Sequence, residues 1–135
     1  MSIPVTSYMI VPATITDAML VSCTVAEPAA GEAAWNASTA YTVGQEAIRT
    51  TTHRKYKRIV AGTTATEPEN DTTNWLEIGA TNRWAQFDRK VGSKTTGTTS
   101  VTTVIKLGSA EGLALLDVVG TSADGREVLR AELDL

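Results

Sequence analysis

The chain has 135 residues, of which 42% are apolar and 20% charged, with a net charge of −3. This is a globular balance with room for one ordinary domain or two very small ones, and the mild acidity argues against nucleic-acid binding through bulk charge. One cysteine, Cys23, and one histidine, His53, exclude an internal disulfide framework, a cysteine-based zinc site within one chain and a multi-histidine metal centre, so no cofactor is expected.

The first 33 residues open on "MSIPVTSYMIVPATITDAML". They lack the basic-then-apolar order of a signal peptide, and no stretch of the chain reaches the roughly 18 apolar residues of a membrane span. The expectation is a protein made in a cytoplasm, without membrane insertion. The acceptor patterns "NAS" (36–38) and "NDT" (70–72) then read as chance matches. "GEAA" at 31–34 could extend a short helix, too short to stand alone.

Residues 34–79 have a different texture. Gly44 marks a turn before a strand at "EAIRT", and "HRKYKRIVAG" reads as a second strand with Tyr56, Ile59 and Val60 as its apolar content. "TTATEPENDTTN" is a loop by composition, and "WLEIG" closes the unit. A unit this short, with no disulfide or metal, is marginal and needs its largest apolar side chains inside.

Residues 80–135 read as strands. About one residue in six of the whole chain is Thr, a residue at home in strands and poor in helices. "TSVTTVIKL" (99–107) alternates, with Val101 and Val104 expected to face a core. "GLALLDVVG" (112–120) suits a strand buried on both faces, and "ADG" (123–125) is a turn signal. "GREVLRAELDL" (125–135) alternates again, with Val128, Arg130 and Glu132 on one face and Leu129, Ala131 and Leu133 on the other. The fold class expected is mostly β: a small antiparallel β-sandwich-like unit from residues 1–33 and 80–135, with a compact β-module, 34–79, inserted in it or appended to it.

Trp35, Tyr41, Gly44, Tyr56, Pro68 and Trp75 together resemble the small chitin- and cellulose-binding modules of the carbohydrate-binding family 5/12 type. The stretch that follows, "IGATNRWAQFD" (78–88), and the lead-in "PATITDAMLVSCTVAEP" (12–28) are similar to segments that flank this module in tailed-bacteriophage virion proteins. The joint resemblance covers nearly the whole chain and implies a tail or tail-fibre protein. It departs from the sugar-binding pattern at one place. Sugar binders carry exposed aromatics after the second-strand Tyr, whereas this chain reads "YKRIVAG". The retained Trp35, Tyr41, Tyr56 and Trp75 are therefore expected to build the interior, each able to bury about 150–250 Å2. Fold does not carry function with it.

The remaining candidates follow from residue chemistry. Trp35, Tyr56 and Trp75 are the residues that a host-glycan site would use. Arg54, Lys55, Lys57 and Arg58 form the densest charge on the chain and read as a solvated strand edge, where lysine discourages unwanted pairing, or as contacts to an acidic neighbour. Trp84 and Phe87 are expected to anchor module to sandwich, with Arg83 and Asp88 as pairing partners. Arg83, Trp84, Val128, Leu129 and Leu133 complete the candidate interface, with residues 126–135 and the apolar Met9, Ile10 and Val11 as assembly contacts. Cys23, in an apolar segment, is expected to be a small hydrophobe rather than one half of a reactive pair with His53. No Ser/His/Asp order, phosphate-cradling loop or carboxylate pair supports catalysis. The function expected is a non-enzymatic adaptor of a tailed-phage virion, in tail, baseplate or fibre attachment. It would assemble in multiple copies against other virion tail proteins; the alternative is host-glycan binding.

Overall fold

A computed structural model describes residues 14–106. The expected strands at 112–120 and 125–135, with Val128, Leu129 and Leu133, and the contacts expected of Met9, Ile10 and Val11, lie outside the described residues. The protein is mostly β, with two antiparallel sheets among the described residues. Among the described residues helix is confined to two short 3-10 turns, Pro68–Asn70 and Ala85–Phe87.

The larger sheet comprises β2 (Glu46–Arg49), β3 (Arg54–Arg58) and β4 (Trp75–Ala80), in the order β2-β3-β4. β2 and β3 form a hairpin in which Ala47 faces Tyr56 and Arg49 faces Arg54. The turn ends on His53, a non-glycine residue held at φ 56°. Gly44, at φ 91°, starts the hairpin: its N–H donates to the Arg58 carbonyl at 2.8 Å while the Arg58 N–H donates to the Gln45 carbonyl at 2.7 Å. A Cβ-bearing residue is disfavoured at that φ.

The loop that leads into β4 is ordered by Asp71. Its carboxylate accepts from the Asn74 amide and the Thr64 hydroxyl, and its carbonyl accepts from the Trp75 N–H. This delivers Trp75, 2% exposed, into a small core with Tyr41, Ala47 and Tyr56, with Trp35 packed half-buried against it. Tyr41 meets Trp75 edge-on, with ring centroids 4.8 Å apart and planes at 73°, the arrangement that aligns positive edge with negative face. The Tyr41 hydroxyl accepts from the Asn36 N–H at 2.8 Å, closing the module's start.

β1 (Leu20–Cys23) and β5 (Thr103–Ile105) form the second sheet, antiparallel, with Leu20 opposite Ile105 and Cys23 opposite Thr103. The two strands bracket the larger sheet in the chain, so one continuous excursion leaves the ribbon and returns to it.

Four expectations fail on placement. The stretch at 31–34 is not helical: Ala34 bridges Ile48 in parallel, so this segment extends the sheet beside β2. The basic strand β3 is the central strand, not an edge. Ile59 and Val60 lie just past β3 and are exposed, so Tyr56 alone carries the apolar content expected of the three. Val101 and Val104 point outward, while Thr103 and Ile105 are the half-buried positions of β5. Val101 lies before β5, and within β5 the period of two sets Val104 on the face opposite Thr103 and Ile105.

Candidate functional site

The densest polar chemistry lies where the lead-in, the β2–β3 hairpin and the segment after β4 meet. Glu27 sits at its centre with a side chain only 5% exposed. Its carboxylate accepts from His53 Nδ1 at 3.0 Å, Thr81 Oγ1 at 2.5 Å and Trp84 Nε1 at 3.1 Å. His53 stacks on Trp84 with ring centroids 4.0 Å apart and planes within 20°, and Phe87 meets the Trp84 ring edge-on at 5.4 Å. A second carboxylate, Asp17 Oδ1, lies 2.9 Å from His53 Nε2, outside hydrogen-bonding geometry for that nitrogen. A buried carboxylate is tolerable only when its lone pairs are filled, and Glu27 gathers its three donors from two separate parts of the chain, the β2–β3 turn and the segment after β4.

Glu32 repeats the device nearby, also 5% exposed: one oxygen accepts from the Asn82 N–H at 2.8 Å, the other from the Ala29 N–H at 3.0 Å, and Lys55 Nζ lies 3.6 Å away. Arg83 Nε donates to the Val25 carbonyl at 2.6 Å. The expected Arg83–Asp88 pair is replaced by Arg54, whose guanidinium lies 3.6 Å from both Asp88 and Glu77. Together these contacts fasten the lead-in to the module and to residues 81–88.

The structure separates the proposed glycan set. Tyr56 and Trp75 are buried core residues, so neither offers a flat face to a pyranose. Burial also pushes the Tyr56 phenol above its ordinary value of 10.0, against a smaller opposing effect from the Thr52 hydroxyl. Trp35 is half-buried, with the Arg49 guanidinium 5.0 Å over its ring and Arg49 itself paired to Glu69 at 3.0 Å.

The proposed interface set divides as well. Arg58 is 2% exposed, with its guanidinium 4.9 Å above Trp75 and Nη2 donating to the Gly62 carbonyl at 3.2 Å. It is a core cation held on an aromatic face, not a surface contact. Trp84 is buried in the junction. Arg54, Lys55 and Arg83 are half-buried in the ties described above, and Lys57 is the exposed member of β3.

Cys23 does not meet His53. Its sulfur lies 3.5 Å from Thr103 Oγ1 and 3.7 Å from Gln86 Nε2, a polar setting rather than the apolar one expected. Glu27 and Glu32 went unmarked in the sequence: "AEPAAGE" reads as a solvated loop, and their partners lie up to 57 residues away.

A cavity of about 280 Å3 lies against His53, lined also by Thr14, Asp17, Arg54, Trp84 and Asp88. Another, of about 500 Å3, is walled by Thr24, Ala29, Asn82 and residues 96–100, where the Asn82 amide is already satisfied by Thr96. Among the described residues no group of three His, Cys, Asp or Glu is placed to hold a metal ion, and no helix is long and apolar enough to cross a membrane. The chemistry of the junction is that of a fastening: the donors that reach Glu27 and Glu32 tie the lead-in to the β2–β3 turn and to residues 81–84. No protein family, curated protein or solved structure matches this chain.

Proposed function

We propose that this chain is a non-enzymatic structural adaptor of a tailed-phage virion, assembled in multiple copies in the tail, baseplate or fibre-attachment region. The observation that carries the reading is the inward placement of Tyr56 and Trp75. A module that resembles sugar binders has put two of its three candidate stacking rings into its own core, and the third, Trp35, is half-buried beside Arg49. What is left is a small β scaffold. The buried carboxylates Glu27 and Glu32 support the same reading, because they tie the module to its neighbouring segments, as a part that positions other proteins requires. The resemblance of "TNRWAQFD" and the lead-in to phage virion segments supplies the setting.

Two measurements test this. Quantitative mass spectrometry of purified particles should find the chain in several copies per virion. The full chain passed over chitin should elute with the void. Absence from the particle, or retention on chitin competed by soluble chito-oligosaccharide, overturns the adaptor reading, the latter in favour of host-glycan recognition.

A further inference from the structure

We propose that His53 is a proton-operated latch, which holds the turn around Asp17 onto the β2–β3 hairpin and so sets one wall of the cavity that both line. This is independent of the virion reading. The imidazole has a carboxylate oxygen close to each ring nitrogen: Glu27 at 3.0 Å from Nδ1 and Asp17 at 2.9 Å from Nε2. Only the imidazolium carries a proton on both nitrogens. A neutral ring must present a lone pair to one of the two acids.

The two acids are not equivalent. Glu27 is 5% exposed and its carboxylate is fixed by Thr81 and Trp84, so it keeps the Nδ1 proton. Asp17 is 74% exposed and its contact with Nε2 lacks hydrogen-bonding geometry. Loss of the second proton therefore falls on Asp17, which turns away into water, while the His53–Glu27 bond and the stacking on Trp84 persist.

Other charges face the ring. Arg54, from β3, and Asp88 line the same cavity, and they lie 3.6 Å from one another. Arg89 also lines it, and its Nη2 donates to Thr14 Oγ1 at 2.7 Å. That bond is a second tie on the same segment, and it does not respond to pH in histidine's range. The latch thus biases the position of residues 14–17 rather than releasing them outright. The turn is hinged by its own bonds, with the N–H groups of Met19 and Leu20 donating to the Thr16 carbonyl, so movement is confined to the stretch before β1.

The test is an NMR titration of the full chain between about pH 5 and 8, the window in which a histidine changes charge. Ring 15N shifts report protonation at each nitrogen, and the amides of Thr14, Ile15 and Thr16 report docking. The amides should move with the same midpoint as the ring, with the undocked population rising roughly 1.5- to 5-fold, the weight of a solvent-exposed ion pair. In Asp17→Asn, a substitution at an exposed side chain, the ring should still titrate while the amides no longer follow it. The proposal is overturned if the ring does not titrate in this window, if the amides do not follow it, or if they follow it equally in Asp17→Asn.

Discussion

Replacing Glu27 by Ala removes a single carboxylate and leaves three donors without their acceptor. Two of them belong to residues with almost no access to water: Thr81 is 0% exposed and Trp84 is 7% exposed. The third, His53 Nδ1, retains no other partner among the described residues. An orphaned buried donor costs about 1–3 kcal/mol, and breaking a buried pair by deleting one member costs about 3–5 kcal/mol. The three losses share one site and do not add fully, so the expected destabilisation is about 3–5 kcal/mol, a large share of the roughly 5–15 kcal/mol that holds an ordinary domain folded.

Glu27→Gln keeps an acceptor oxygen in the same place but adds an amide N–H2 beside three donors, so it should cost about 1–3 kcal/mol. The assay is urea unfolding at neutral pH, followed by tryptophan fluorescence, with the midpoints compared at equal slope. Trp84 makes the signal local as well as global, because its indole N–H loses its partner. A Glu27→Ala protein within about 0.5 kcal/mol of the parent, the scatter expected of an ordinary surface substitution, would refute the assignment of Glu27 as the fastening of the junction.

Trp75→Ala should destabilise by about 3–5 kcal/mol, the usual result of truncating a buried aromatic; near-parental thermal stability together with lost glycan binding would show that the ring serves a ligand instead. Arg58→Lys should lose about 1–2 kcal/mol by thermal or urea unfolding, because a single ammonium cannot both sit over the Trp75 ring and reach the Gly62 carbonyl as the guanidinium does; an unchanged midpoint would dismiss the cation–π contact as incidental. Burial raises the folded-state pKa of Tyr56 above 10.0, so the unfolded chain loses its proton first. Its contribution is complete below pH 10 and is lost as pH rises through the folded value. Stability should fall on the alkaline side, and Tyr56→Phe should flatten that fall; an identical alkaline profile for the two proteins would contradict the burial.

Local chemistry made the strands of the module legible. The Gly44 turn before "EAIRT", the pattern around Tyr56 and the run "WLEIG" each carry their signal within a few residues, and β2, β3 and β4 stand there. The inward turn of Tyr41, Tyr56 and Trp75 was likewise within reach of the sequence, because a unit of this size must bury its largest apolar side chains to make a core at all.

Strand order was not, since nothing local to "RKYKR" says that two other strands flank it. Once they do, Arg58 cannot reach solvent and settles on Trp75. Nor was the outward placing of Val101 and Val104: where β5 begins, and which of its faces packs, is decided by its pairing with β1. The junction was least legible of all. Glu27 beside Pro28 looks like a loop acid until the tertiary structure brings His53, Thr81 and Trp84 to it from 26, 54 and 57 residues away. A carboxylate's role depends on whether water or protein fills its lone pairs, and that is decided only when distant segments close around it.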